Sequence, residues 1–459
     1  MNSHAEQFHR DAAQVSADLR HRSLIQIAMK KYESARGERT ALFQDWPAAR
    51  ERAAEIKCDA VNHLDRYLAE FARKFEARSG RVHWASTAQQ AREIIVNIVR
   101  ATNARSIIKS KVMTGEEIHL NDALTAAGYD VVESDLGEYI VQLRGESPYH
   151  FVFPAMHLSR GEISALFERE LKTSPTSDPE ELTMIARRVL RDKYLSADVG
   201  ISGANFAIAE TGMISITENE GNARLTCALP KVHIALLGIE KILPRMDDLA
   251  LFLPMLATSG TGQLLTGYNS LYGGPRQSNE CDGPEEMHVV LLDNGRTRLL
   301  ADAEQRDALH CIRCGACLNV CPVYKSVGGH TYGTTYQGPI GSVITPHLRG
   351  VREWKHLSDA SSLCGACTEI CPVKIDLHHH LLQNRRNAAR SGGHWRERLA
   401  FRLFAFVVNR PALFKLITRI ARTSTGTSAV GVLRIWLQTR DLPSIPDQSF
   451  RDYWKGRQR

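Results

Sequence analysis

The sequence predicts an α/β domain built on a parallel sheet, preceded by a helical segment and followed by a cysteine-rich helical module and a basic helical tail. Three observations lead there. Between residues 82 and 133 the hydrophobic period alternates strand, helix, strand, helix, strand, the pattern that covers a parallel sheet with helices. Seven of the ten cysteines fall between Cys311 and Cys371. Residues 381–459 hold fourteen Arg and two Lys against four acids, a net of +12, which leaves the rest of the chain at −5 of its total +7.

In chain order, residues 1–66 are expected to be helical. Val61, Leu64, Leu68, Phe71 and Phe75 recur at three- and four-residue steps, one face of a long helix that Ser79-Gly80 ends. Val82–Ala85, Ser106–Lys109 and Asp130–Glu133 then read as strands, separated by helices at Thr87–Ala101 and Glu116–Ala127, the second stopped by Gly128. Further strands are expected at Phe151–Pro154, Met213–Ile216, His233–Gly238 and His288–Leu292, and further helices at Glu162–Leu171, Pro179–Asp192 and Asp247–Ala257. This places the α/β domain at 67–295, the cysteine module at 300–380 and the tail at 381–459. With 43% hydrophobic and 24% charged residues, the composition excludes a wholly disordered chain. The longest apolar stretch, near Leu403–Val408, is far short of the ~20 residues of a membrane span. The polar start Met1–Gln7 has no apolar signal region. A cytoplasmic location is expected, where thiols stay reduced.

The chemistry lies in the cysteine spacing. Cys311-Ile-Arg-Cys314-Gly-Ala-Cys317-Leu-Asn-Val-Cys321-Pro322 is C-x2-C-x2-C-x3-C-P. A [4Fe–4S] cube needs one thiolate per iron. In two-cluster ferredoxins the fourth cysteine of this run ligates the other cluster. Cys364-Gly-Ala-Cys367-Thr-Glu-Ile-Cys371-Pro372 repeats the last three cysteines, with Ser361 where the first would stand. Crossing the motifs gives cluster 1 Cys311, Cys314, Cys317 and Cys371. Cluster 2 takes Cys321, Cys364 and Cys367, and lacks a fourth thiolate. Three repairs are open: Ser361 or a neighbour such as His356 supplies the ligand, water or a substrate oxygen fills the place, or one iron is absent and the cluster is [3Fe–4S]. A [4Fe–4S] cluster with one non-cysteine ligand is the favoured reading. Structural zinc needs four ligands as two separated pairs, which four cysteines in eleven residues do not offer. Two clusters sharing crossed ligands lie close together, an arrangement suited to carrying electrons. No dinucleotide fingerprint accompanies them: Gly260-Thr-Gly262 and Gly267 have the wrong spacing and follow no strand, so a partner is expected to supply the electrons.

With both motifs in hand, the chain resembles the lactate utilisation protein B family of bacterial iron–sulfur proteins. The resemblance rests on Asp135-Leu-Gly-Glu-Tyr139, Gly203-Ala-Asn-Phe-Ala-Ile-Ala-Glu-Thr-Gly212, Glu218-Asn-Glu-Gly-Asn222, Asp282-Gly-Pro284, Asp293-Asn-Gly-Arg296 and the two cysteine motifs, and it covers nearly the whole chain. It implies an α/β domain related in fold to the CoA-transferase and sugar-phosphate isomerase group, followed by a two-cluster ferredoxin-type domain. It also implies an electron carrier that works with two companion proteins in oxidising L-lactate to pyruvate, and all seven cysteines as ligands. The rival readings are an enzyme that binds substrate at the incompletely ligated cluster 2 or in the α/β-domain loops, and an oxygen-responsive redox sensor.

A second concentration of unusual residues lies in the α/β domain. Asn205, Glu210, Glu218, Asn219 and Asn222 stand among glycines at expected strand ends, where open α/β sheets bind ligands. Thr217-Glu218-Asn219 faintly resembles the glutamate loop of CoA transferases. Ordinary turn chemistry explains the same residues. Gly328–Gly341, between the motifs, is either a docking loop or a segment packed tightly on a cluster. The tail, with Phe401, Leu403, Phe404 and Phe406 beside Arg398 and Arg402, suits docking on the protein itself, on a partner, or peripherally on an anionic membrane face. No nucleic-acid motif accompanies its charge. Cys58, Cys227 and Cys281 are ordinary thiols, and His378–His380 are expected at the surface.

Overall fold

The predicted N-terminal helix breaks where its two ends must serve different cores. The computed structural model describes residues 3–392, 395–423 and 448–457. Four helices come first: α1 (Ser3–Ala17), α2 (Leu19–Thr40), α3 (Trp46–Asn62) and α4 (Leu64–Glu76). Asp18 and Asp45 cap α2 and α3 by accepting backbone N–H bonds from His21 and Ala48, each at 2.9 Å. The single face expected through Val61–Phe75 is interrupted at His63, whose φ of −124° and ψ of 37° leave the helix. Val61 packs in the core shared with the cysteine module, whereas Leu64, Leu68, Phe71 and Phe75 pack beneath the sheet.

Ten strands follow: β1 (Arg81–Ala85), β2 (Ser106–Lys109), β3 (Asp130–Glu133), β4 (Val199–Ser202), β5 (Phe206–Ile208), β6 (Met213–Glu218), β7 (Val232–Gly238), β8 (Ile242–Leu243), β9 (Tyr268–Tyr272) and β10 (Glu286–Leu292). Six of them form an all-parallel sheet in the order β1-β10-β7-β4-β2-β3. The strand period of two divides each central strand between two cores. Val289 and Leu291 join Ala235 and Leu237 on the face covered by α4, while Val290 and Leu292 join Ile234 and Leu236 on the face covered by the helix Ala88–Ala101. The other four strands make a smaller mixed sheet, β8-β5-β6-β9. The expected strand at Met213–Ile216 belongs there, not to the parallel sheet.

Two expected elements are corrected. Glu116–Ala127 is two short helices, Met113–Glu117 and Leu120–Ala126, because His119 between them takes a left-handed conformation, φ 53°. Phe151–Pro154 forms no strand. The His150 ring accepts the Val152 and Phe153 N–H groups, at 2.9 and 3.3 Å, and the Tyr149 N–H bonds to the Pro154 carbonyl at 2.9 Å. The Val152 and Phe153 donors are thus spent inside the turn and not on a ladder. Strands β4, β5, β8 and β9 were not among those expected.

The cysteine module is helical, with short helices at Ala316–Val320 and Ala366–Ile370 and longer ones at Gly338–Arg349 and Leu377–Arg390. One core runs from α1, α2 and α3 through this module. A buried ionic network ties the module to the sheet. Arg296 grips Glu117 with two N–H bonds, 2.9 and 2.7 Å, and Glu240 with a third, 2.6 Å. Glu240 also accepts from Arg313, inside the first motif, at 3.2 Å, and Tyr336 donates to Glu117 at 2.7 Å. Burial alone would push the Glu240 carboxyl up, but Arg296 and Arg313 hold it down to about 2.

Residues Met1–Ala388 and Ala389–Arg459 form two units. The second contains helices at Trp395–Val408, Pro411–Thr423 and Phe450–Arg457, and Phe401, Leu403, Phe404, Phe406, Ile417 and Ile420 are exposed. The rest of the expected basic tail, 393–394, 424–447 and 458–459, lies outside the described residues. Among the described residues no helix is long and apolar enough to cross a membrane.

Candidate metal centre

The two cysteine motifs adopt the same backbone. The residue before the second cysteine is left-handed in both, Arg313 at φ 59° and Leu363 at φ 55°. The glycine after it is left-handed too, Gly315 at φ 83° and Gly365 at φ 84°. Positive φ is why glycine serves there. A five-residue helix follows in each, then Cys321 and Cys371 in extended conformation, φ −73° and −62°, each before its proline. These turns aim successive sulfurs inward and send the fourth cysteine away from its own motif.

Cys311, Cys314, Cys317 and Cys371 thereby line one small cavity, walled by Phe151, Ile340, Val373, Ile375 and Leu377. Cys321, Cys364 and Cys367 form the other group: Cys321 feels the charge of Cys364, and Cys367 that of both. Cys317 and Cys367 also feel each other, so the groups adjoin. None of these cysteines is in a disulfide. Burial first, then neighbouring sulfur charge, raises the thiols: Cys367 is pushed up to about 12 and Cys371, by burial above all, to about 11. Such thiols become thiolates only with a cation to stabilise them.

The surroundings fit an iron–sulfur group. Backbone N–H groups of Arg313, Tyr324 and Ile375 reach the sulfurs of Cys311, Cys321 and Cys371 at 3.4, 3.5 and 3.4 Å. Arg50 donates to the Cys371 carbonyl at 2.9 Å and Arg36 to that of Ile370 at 3.4 Å, placing two cations beside the first group. A zinc site would not need seven thiols in two adjoining sets.

At the slot of the missing cysteine, the Ser361 Oγ accepts the Leu363 N–H at 3.1 Å. In the first motif the Cys311 sulfur accepts the Arg313 N–H in the same two-residue step. His356, the other candidate, is buried, its ring tilted against Phe8 and Trp354. Its pKa is held down to about 4, chiefly by burial, and the charges that act on it are His4 and His9. The first group is buried apart from the half-buried Cys311, whereas Cys364 is exposed, so the second group lies at the surface.

The loop residues of the α/β domain gather at a separate place. Asn205, Glu218, Asn219 and Asn222 line a cavity of about 330 Å³, but Glu210 does not. Glu210 accepts the Met246 N–H at 2.8 Å, and its carbonyl accepts from Lys74. Glu218 caps the helix Asn222–Ala228, its two oxygens taken by the N–H groups of Ala223 (2.6 Å) and Arg224 (2.9 Å), an arrangement for a cap and not for a nucleophile. Among the cavity-wall residues missed from sequence are Lys111, Lys241, Arg313 and Tyr336. Arg313 and Tyr336 carried a signal, the one lying in the first motif and the other in the glycine-rich segment between the motifs.

The remaining expectations divide. Gly328–Gly341 packs inward: a Cβ on Gly329 would lie 1.6 Å from the Tyr149 carbonyl oxygen, and one on Gly341 1.7 Å from that of Tyr336. His379 is exposed, but His380 is buried, against expectation, because it pairs with Asp307 at 2.7 Å.

Comparison with known proteins finds three matching stretches of the chain. Residues 68–292 match the LUD domain, 307–375 the 4Fe-4S dicluster domain, and 377–459 the C-terminal region of lactate utilisation protein B. Lactate utilization protein B of Shouchella clausii is 43% identical over 448 residues, 95% of this chain and 94% of that protein. The Bacillus subtilis protein of the same name is 41% identical over 95% of this chain and 93% of its own length. An Escherichia coli protein described as an uncharacterized electron transport protein, YkgF, is 41% identical over 90% of this chain and 89% of its own.

Proposed function

This chain belongs to the lactate utilisation protein B family, and from that premise we propose that it is the iron–sulfur electron-transfer component of a multi-protein system oxidising L-lactate to pyruvate. The observation that carries the proposal is the pair of matching cysteine motifs, with Cys371 of the second motif lining the cavity of the first. Cys311, Cys314, Cys317 and Cys371 hold one [4Fe–4S] cluster, and Cys321, Cys364 and Cys367 hold most of a second. Bound there, the clusters supply one-electron carriers close enough to act in series. The chain's own part is to space them, to aim N–H groups at the sulfurs, and to set Arg36 and Arg50 against the negative charge of the first group. Companion lactate-utilisation proteins supply the electrons, and the exposed Cys364 gives a redox partner access to the second group.

Within the same reading, Ser361 is the eighth ligand. Its Oγ occupies the position of the Cys311 sulfur in the repeated backbone, and His356 is directed elsewhere. The kinship of the α/β domain with CoA transferases and isomerases also belongs to the proposal, supported by its all-parallel sheet, as do the cysteine module at 300–380 and the tail from 381.

The test is electron paramagnetic resonance with iron and sulfide analysis on protein purified anaerobically. Ser361→Ala loses about one iron and shows an oxidised-state three-iron signal, while Ser361→Cys keeps a full complement and shifts only the reduced spectrum. If Ser361→Ala leaves both iron content and spectrum unchanged, Ser361 is no ligand.

A further inference from the structure

The cavity of about 330 Å³ in the α/β domain sits where the sheet changes direction. The connection from β2 leads outward to its edge neighbour β3, while the chain leaving β4 returns toward β7 and β10. Strands β2 and β4 are paired neighbours, so a crevice opens between their carboxyl ends. Open parallel sheets bind ligands at such a point. Its walls come from both sides of the switch: Ser110 and Lys111 just past β2, Gly203 and Asn205 just past β4.

What distinguishes this crevice is its far wall, formed by Cys314 and Arg313 of the first motif. The Arg313 side chain is 9% exposed and stacks over the Tyr336 ring, 4.4 Å from its centroid. One of its nitrogens bonds Glu240, but Nε and Nη1 are buried with no partner. Lys241, beside it in the wall, has no hydrogen-bond or ion-pair partner among the described residues. Buried cationic donors left unpaired are costly. Lys241 lines a cavity large enough for a small metabolite. Elsewhere the same network satisfies its charges, Arg296 spending its guanidinium on Glu117 and Glu240. Neutralising thiolate charge would not need a cavity at all.

We propose that this crevice binds a small organic carboxylate, its charged end held by Lys241 against the Cys314 side of the first cysteine group and its body lying toward Asn205 and Asn219. The bound anion supplies the acceptor that the Lys241 ammonium lacks. This rests on the reading of that cysteine group as a cluster site only for its redox consequence, since the binding itself is a property of the crevice.

The test titrates holoprotein of measured iron content with L-lactate, pyruvate and 2-oxoglutarate. Lactamide serves as the neutral counterpart of lactate. Binding is followed by calorimetry and by the spectrum of the dithionite-reduced protein. At least one carboxylate binds and perturbs the spectrum, and lactamide does neither. Lys241→Met weakens that binding about tenfold or more, the loss expected of one charge-assisted contact, with iron content unchanged. Thr217→Trp, filling the crevice from its strand wall, abolishes the binding even if Lys241→Met proves unstable. If no carboxylate binds, or both variants bind as wild type does, the crevice is not an anion site. An iron count near zero before titration would instead overturn the cluster reading, and leaves the calorimetry to decide on the crevice.

Discussion

Arg296 shows what one side chain does for the join between the sheet and the cysteine module. It neutralises Glu117 and Glu240, both buried, and through Glu240 it fixes Arg313 in the first motif. Arg296→Met leaves two buried carboxylates without their main partner and costs about 3–5 kcal/mol of stability, read as a drop in denaturant midpoint. The pH dependence changes with it. In the wild type Glu240 is held at about 2, below its ordinary value, so its stabilising contribution is present above the ordinary carboxylate range and is lost only as pH falls through that range toward 2. Between about pH 8 and 6 the carboxylate contribution is flat. In the variant, burial raises these carboxyls, and stability increases as pH falls across the same window; equal slopes for the two proteins would contradict the network's role. The resemblance flagged Asp293-Asn-Gly-Arg296 as characteristic, but its purpose was hidden, because Glu117 and Glu240 lie far from it in sequence. The 4Fe-4S dicluster domain was legible because its cysteine motifs are written in short spacings. Lys241 was not, since a lone lysine after an apolar run has no pattern of its own.

At the level of elements, those framed by the alternation of strand and helix were the readable ones. Ser106–Lys109 and Asp130–Glu133 stand where the pattern put them. Failures came where a side chain or a single backbone angle overrode the period: the His150 ring in Phe151–Pro154, and His119 and His63 within apparent helices. The strands Phe206–Ile208 and Tyr268–Tyr272 were missed because no strand–helix alternation frames them, and they make sense as partners of Met213–Glu218. The segment between the motifs is positioned by glycine. Gly329→Ala would drive a methyl group into the Tyr149 carbonyl, 1.6 Å away, and must displace backbone. We expect a loss of about 2–4 kcal/mol and reduced iron incorporation, whereas Gly333→Ala, with open space around it though at φ 58°, costs only about 1–2 kcal/mol and leaves iron content intact. Equal effects would mean the segment is not packed as described.

For the whole molecule, the two units carry opposite tendencies. One core of Met1–Ala388 runs through α1, α2 and α3, strands β5 and β8 and the cysteine module, so cluster binding is expected to be coupled to the stability of the elements that share it. Ending the chain at Ala388 therefore leaves iron content unchanged, and any defect of the shortened protein falls on association with partners or surfaces. Domain order was legible from composition and charge; the shared core was not, because it is built from Phe8, Ile25 and Met29, which stand hundreds of residues from the cysteines they pack near. The central claim is that seven cysteines and one serine hold two adjoining clusters with crossed ligands. Iron and sulfide per chain, with electron paramagnetic resonance before and after dithionite, tests it most directly. The account predicts about eight irons with matching sulfide and a reduced-state spectrum broadened by interaction between two centres. Zinc without sulfide, or about four irons with a single isolated centre, would contradict it.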